Sequence, residues 1–290
     1  MMVPRRGNPI IIQNITGKYG RLHARLMLDY GTNIAAGATP GKGGQSVEGV
    51  PVYDSVAEAV EKSGSRASVM FVPAEFAMAA GEEALLAGIK LLVIITEHVP
   101  VRDTLRLVGL AQIKGAVIVG PNCPGLIVPS QRVKMGIMPA SSFSPGNVAL
   151  FSRSGTLMYE IAGQFSGNGL GQSVALGLGG DPVTGMTASE CLDSVESMEE
   201  TKVVVVVGEI GGDSEERLAH HIDKSGFSKP VVAYIAGRHA PREKKLGHAG
   251  AIIYGDYGTA DSKIKALRDA GVKVALTPME VPRLVRESLA

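Results

Sequence analysis

The chain has 290 residues, of which 45% are hydrophobic, enough for one large domain or two ordinary ones with full cores. Lysines and arginines number 29 against 28 acids, which excludes a broad field of one sign for gathering nucleic acid or an anionic membrane, so any anion site must be local. The two cysteines, Cys123 and Cys191, form no C-x-x-C pair, and no apolar run approaches the roughly 20 residues of a membrane span. With no signal peptide in MMVPRRGNPIII, the expectation is a cytoplasmic chain without a metal site.

Short runs rich in Val and Ile recur along the chain. In order they are PIIIQNI, TNIAAG, ASVMFVP, LLVIITE, AVIVG, NVALFS, SVALGLG, VVVVVGEI, PVVAYIAG, GAIIYG and VKVALT. Such runs read as strands buried on both faces. Amphipathic stretches such as RLHARLMLDYG, AEFAMAAGEEALLAG and SKIKALRDAG lie between them, predicting a doubly wound α/β protein with parallel sheets. The strands exceed one typical sheet. The segment from Gly120 to Gly146 is rich in Pro and Gly and weak in strand signals before the rhythm restarts at Asn147, so a domain boundary is expected near residue 130.

Ligands of open α/β sheets sit beyond the carboxyl ends of the strands. After the first strand comes NITGKYGRLH, in which Gly17 and Gly20 open a helix whose free amides suit a phosphate; a purely structural tight turn is the alternative. The second strand ends in GATPGKGG, where a dinucleotide unit would carry an acid for ribose. Lys42 stands there instead, which suits an extra phosphate on an ADP derivative such as coenzyme A or NADP, unless it is simply a solvated lysine. In FVPAEF, Pro73 offers a wall for a flat ring or a plain turn. Later, NVALFSRSGTLMYE repeats the strand, turn and helix pattern, with amides after Ser154 and Gly155 and hydroxyls at Ser152, Ser154 and Thr156. It does not match the G-x-S-x-G elbow of a nucleophilic serine.

Glu209 follows five consecutive valines, where a carboxylate is costly unless exposed or partnered. A histidine would partner it well. His23, His220 and His221 lie in helical, charge-rich contexts, and His98 and His239 follow strands. Only His248, in KKLGHAGAIIYG, is framed by glycines, Gly247 and Gly250. A neutral imidazole is a competent nucleophile toward phosphorus, and an acid at 209 accepting its other N–H would orient it. A structural histidine is the alternative.

GPNCPG at 120–125, SRSGT at 152–156, GGDP at 179–182, GEIGG at 208–212 and GHAGAII at 247–253 occur in an order and spacing that resembles the α subunit of succinyl-CoA synthetase. The resemblance covers nearly the whole chain. It implies a Rossmann-like CoA-binding domain (1–130) followed by a flavodoxin-like doubly wound ligase domain (131–290) carrying a phosphohistidine. Gly17, Lys18, Tyr19 and Gly20 would then hold the CoA diphosphate, Lys42 a phosphate of the ADP portion, and Val72 and Pro73 the adenine, with Asn122 and Cys123 near the thiol. His248 would accept phosphate, Glu209 would orient it, and Ser154, Gly155 and Thr156 would cradle the phosphoryl group. ATP or GTP with Mg would bind an ATP-grasp β subunit, in an αβ or α2β2 assembly. Succinate is the first acid implied, with citrate, as in the related citryl-CoA synthetase small subunit, or malate as alternatives.

A non-catalytic CoA-binding module is the reading of another class, opposed by the second domain and His248. The chain departs from the family's pattern at Asn14 for glycine, at Ala140 and Ser141 for a Gly-His pair, at His98 and at Glu75. Asn14 brings an amide close to the CoA turn.

Overall fold

The computed structural model describes residues 3–239, 248–253 and 258–290. The chain divides into two compact units, Met1–Ala140 with Val183–Gly185, and Ser141–Pro182 with Met186–Ala290.

In the first unit, β1 (Ile10–Gln13) leads into α1 (Lys18–Tyr30) and β2 (Ile34–Ala38), then a small hairpin of β3 (Ser46–Val47) and β4 (Val50–Tyr53). There follow α2 (Val56–Ser63), β5 (Ala67–Met70), α3 (Ala74–Leu86), β6 (Leu91–Ile94), α4 (Val101–Lys114) and β7 (Val117–Val119). The sheet order is β3-β4-β2-β1-β5-β6-β7, parallel throughout except for the β3–β4 pair. Omitting β3, this is the Rossmann order, which reverses direction at β1 and opens a crevice between the carboxyl ends of β1 and β5. Every residue of β1, β5 and β6 is buried, as their unbroken apolar runs require.

Two antiparallel pieces were not predicted. In the β3–β4 hairpin, Glu48 (φ 51°) and Gly49 (φ 81°) form the two-residue turn, a conformation that glycine adopts easily and that matches strand twist. The Pro/Gly-rich segment after β7 holds a second hairpin, β8 (Gly125–Val128) with β9 (Val133–Gly136). Its glycines serve close strand approach, because a Cβ on Gly125 would meet the Met135 carbonyl oxygen at 1.9 Å.

The second unit comprises β10 (Pro145–Ser152), α5 (Gly155–Gly167), β11 (Gln172–Gly177), α6 (Ala188–Glu196), β12 (Val203–Glu209) and α7 (Ser214–Ser225). It continues with β13 (Val231–Ala236), α8 (Ala260–Asp269), β14 (Lys273–Ala275) and α9 (Val281–Leu289). These strands run parallel in the order β14-β13-β12-β10-β11, the flavodoxin-like arrangement. Its direction reverses at β10, so the crevice lies at the carboxyl ends of β10 and β12. The valines of β12 are buried on both faces, and Thr187 and Glu190 close a capping box on α6.

GAIIYG, predicted as a strand, is not one over Gly250–Ile253. Those residues make turn bonds, Ala251 N to His248 O at 3.1 Å and Ile252 N to Gly250 O at 3.0 Å, in place of a ladder. Tyr254 and Gly255 lie outside the described residues, as does Gly247.

Candidate active site

β10 and β12 are neighbours in the sheet, and a charged side chain stands at the carboxyl end of each, Arg153 just after β10 and Glu209 as the last residue of β12. After Ser152 the chain turns through Arg153 to Ser154, whose Oγ caps α5 by accepting the Leu157 amide at 3.3 Å. Ser152 Oγ braces that turn, donating to the Ser154 carbonyl at 2.7 Å and accepting the Ser154 amide at 3.1 Å. Gly155 and Thr156 occupy the first helical turn, where backbone amides and the helix dipole favour an anion.

Glu209, the last residue of β12, is buried. Its Oε2 lies 2.7 Å from His248 Nδ1, and its Oε1 lies 3.3 Å from Arg153 Nε without making an aligned hydrogen bond. A carboxylate accepts from the ring, so Nδ1 carries the proton and Nε2 is left with its lone pair. The Glu209 hydrogen bond raises the His248 pKa above 6.5 and the Glu209 charge adds to it; burial and Arg153 oppose the shift, while Asp181 supports it.

The glycines of the motifs acquire geometric reasons here. A Cβ on Gly180 would meet Cγ and Cδ2 of His248 at 2.5 Å, so the imidazole rests on bare backbone. Gly250 donates its amide to the Gly180 carbonyl at 3.2 Å, and a Cβ there would meet Arg153 Nη2 at 2.7 Å. A Cβ on Gly208 would meet the Glu215 carboxylate at 2.4 Å. Glu215 accepts the Glu209 amide at 3.4 Å through Oε1 and is paired through Oε2 with the fully buried Lys263 of α8.

In the first unit, Gly17 caps α1 without any side-chain hydrogen bond, and Lys18, Tyr19 and Gly20 form the first turn, with Tyr19 exposed. A Cβ on Gly20 would meet the Asn14 carbonyl at 2.1 Å, so the helix start lies directly on the end of β1. Asn14 sits in the left-handed region (φ 58°), which explains why asparagine is accepted where glycine is usual. Its amide donates to the Phe71 carbonyl at 2.9 Å, and its side chain lies beside Gly17.

A cavity of about 510 Å³ opens at the carboxyl ends of these strands, lined by Asn14, Ala38, Val72, Pro73 and Phe76 among others. Its mostly apolar walls and its place at the Rossmann switch point fit a flat ring. Lys42 is exposed on the loop after β2, where Gly43 donates to Asp54 Oδ1 at 2.8 Å. Asn122 (φ 53°) donates its backbone amide to Thr96 O at 2.9 Å, while the buried Cys123 directs its thiol to the Ile94 carbonyl at 3.3 Å.

The other histidines stand elsewhere. His23 stacks on Phe71, His98 and His220 are exposed, His221 pairs with Asp193 at 2.7 Å, and His239 is exposed after β13. Among the described residues, no group of three or more His, Cys, Asp or Glu is placed to hold a metal, and no helix is long and apolar enough to cross a membrane. Sequence reasoning missed Arg153, Gly180, Glu215 and Lys263 as individual residues. Arg153 had a readable signal, a lone cation between hydroxyls at a strand end.

A Rossmann-like unit with an apolar cavity at its switch point, joined to a flavodoxin-like unit with a carboxylate-held histidine at its own, defines a CoA-ligase architecture. Residues 7–98 match the family described as CoA binding domain, and residues 151–273 the family described as CoA-ligase. The chain is 54% identical over 280 residues to succinate–CoA ligase [ADP-forming] subunit alpha 2 of Archaeoglobus fulgidus, covering 97% of this chain and 96% of that protein. It is 48% identical to the corresponding α subunit of Aquifex aeolicus, over 97% and 92% of the two chains.

In fold it is similar to Methanosaeta concilii ATP citrate lyase solved with (3S)-citryl-CoA, with a TM-score of 0.89 at 22% identity. That match covers 99% of this chain, which spans 50% of the lyase chain. The chain belongs to the succinate–CoA ligase α-subunit family and is an α-type subunit of an NDP-forming acid–thiol ligase.

Proposed function

We propose that this chain, with a β subunit of the ATP-grasp type that binds ATP or GTP and Mg, joins succinate to coenzyme A through a phosphohistidine at His248. The observation that carries the reading is the 2.7 Å contact between His248 Nδ1 and Glu209 Oε2, which commits one ring nitrogen to a buried carboxylate and frees Nε2 as the nucleophile.

The chemistry then follows in balanced steps. Nε2 attacks the terminal phosphorus of the nucleoside triphosphate, an N–P bond forms as the P–O bond breaks, and the diphosphate leaves. Glu209 offsets the positive charge that the ring gains. A carboxylate oxygen of the acid next takes the phosphoryl group, returning the ring to neutrality. The CoA thiolate adds to the carbonyl carbon and expels inorganic phosphate, which is a far better leaving group than oxide.

Residues 1–130 would hold CoA, with the diphosphate at the Gly17–Gly20 turn and a further phosphate at Lys42. Adenine would lie against Val72 and Pro73, and the thiol near Asn122 and Cys123. Residues 131–290 would carry the phosphoryl chemistry, with Ser154, Gly155 and Thr156 presenting backbone amides to the charge that accumulates on phosphate. The balanced charge of the chain fits such local anion sites.

Substrate choice is tested by combining the purified chain with its β partner, ATP and CoA, and following thioester formation with succinate, citrate and malate in parallel. Succinate should be turned over with the highest kcat/KM. Preference for citrate or malate would reassign the acid, and turnover of none of them would remove the ligase reading.

A further inference from the structure

We propose that Arg153 is a positioning residue for phosphoryl transfer, sharing the Glu209 carboxylate with His248 so that the carboxylate stays paired and aimed while the imidazole changes charge. The inference rests on the reading of His248 as the phosphoryl acceptor and adds to it a residue that no motif role accounts for.

The two oxygens of Glu209 are divided between two nitrogen groups. Oε2 accepts from His248 Nδ1 at 2.7 Å, and Oε1 faces Arg153 Nε at 3.3 Å. Both members of the Arg153–Glu209 pair are deeply buried, with side chains 10% and 9% exposed. A buried carboxylate is costly unless it is paired. Neutral imidazole supplies a hydrogen bond but no charge. A guanidinium adds a fixed positive charge that does not change as the ring gains and loses its own.

Arg153 is itself held from three sides. Its backbone amide donates to the Val207 carbonyl at 3.0 Å, tying it to the strand that ends in Glu209. Its Nη2 donates to the Asp181 carbonyl at 3.2 Å, in the loop whose Gly180 carries the imidazole. Gly250, two residues beyond His248, leaves room for the same Nη2, where a Cβ would stand at 2.7 Å. One side chain therefore meets the carboxylate, the glycine shelf and the histidine loop together.

Among the described residues, the charged groups acting on His248 are Glu209, Arg153 and Asp181, and behind Glu209 the Glu215 carboxylate is already paired with Lys263. Glu209 and Arg153 act on the ring in opposite directions. Removing Arg153 leaves His248 alone with the carboxylate and should move its titration upward, whereas removing the Glu209 charge should move it downward. A residue that merely pinned the turn would produce neither the upward shift nor its opposition to Glu209→Gln.

The test is an NMR titration of the His248 imidazole in the full chain, the signal being assigned by its loss in His248→Asn. Wild type is compared with Arg153→Met, Arg153→Gln, Arg153→Lys and Glu209→Gln. The expected order of midpoints places Arg153→Met and Arg153→Gln above wild type, Arg153→Lys near it and Glu209→Gln below. Arg153→Gln retains an N–H donor for the Asp181 carbonyl and serves if the methionine variant does not fold. A wild-type midpoint in whichever uncharged variant folds would overturn the proposal. Phosphorus NMR of the wild-type chain with its partner and nucleoside triphosphate reports separately on the histidine reading, which would fail if no phosphohistidine formed.

Discussion

Gly180 and His248 are in face-to-backbone contact, so close that a Cβ on the glycine would stand 2.5 Å from two ring carbons. The shelf restricts the imidazole to a plane in which Nδ1 meets Glu209. Gly180→Ala should displace the ring without unfolding the sheet, since the change lies in a loop. Because misplacement by about an ångström costs on the order of a hundredfold, phosphorylation by the nucleotide should fall roughly ten- to a hundredfold. Quench-flow measurement of the phosphoenzyme, with circular dichroism as the control for folding, checks this.

Glu209→Gln is expected to act through proton affinity. The Glu209 hydrogen bond raises the folded pKa of His248 above 6.5, and only the neutral ring is nucleophilic. The acid limb of the phosphorylation profile should therefore move to lower pH in the variant, while the maximal rate falls because the phosphorylated ring loses its compensating charge. The stability that this pair contributes has a defined window. A raised folded pKa makes the contribution complete below the unfolded value of about 6.5, and it is lost as pH rises through the higher folded value. Denaturant titrations of wild type and variant across that range should show the wild-type advantage shrinking as pH increases.

Lys263 and Glu215 form an ion pair with side chains only 0% and 3% exposed, and Lys263 also lies 3.6 Å from Glu216. Lys263→Met leaves two acids without their buried cation and should cost about 3–5 kcal/mol. Lys263→Met combined with Glu215→Met removes the dependence and should recover much of that loss, because a well-packed apolar pair is often no worse than a buried ionic one. Urea unfolding of the single and double variants measures the difference.

At the start of α1, Asn14 occupies left-handed backbone, and Gly20 lies on its carbonyl. Asn14→Gly should leave stability within about 1 kcal/mol, whereas Asn14→Ala should lose roughly 1–2 kcal/mol to the unfavourable φ. Gly20→Ala drives the helix start away from β1 and should weaken CoA binding by at least about tenfold, or 1.4 kcal/mol. Urea unfolding checks the two Asn14 variants, and calorimetric titration with CoA checks Gly20→Ala.

Much of this architecture was legible because buried parallel strands leave unbroken Val and Ile runs, as in residues 203–207, and glycine turns mark where those strands deliver a ligand. The pairing of Glu209 with a histidine followed from the cost of a carboxylate after five buried valines. Short antiparallel pieces were not legible. Ser46–Val47 and Val50–Tyr53 are too brief for a period to register, and the hairpin at 125–136 hides in Pro/Gly-rich sequence because its glycines serve strand contact as well as turns. Residues 250–253 of the GAIIYG run misled for the reverse reason, since an apolar stretch can make turn bonds in place of a ladder. Gly180, Arg153 and Lys263 were hidden because their roles depend on partners that lie 68, 56 and 48 positions away in the chain, at His248, Glu209 and Glu215.

The central claim, that His248 Nε2 carries the phosphoryl group, is tested most directly by incubating the chain and its β partner with nucleoside triphosphate labelled in the terminal phosphate. The label should be acid-labile and alkali-stable, should map by mass spectrometry to the peptide containing His248, and should disappear in His248→Asn while CoA binding persists. Undiminished labelling of His248→Asn, or thioester formation by that variant at the wild-type rate, would contradict the account.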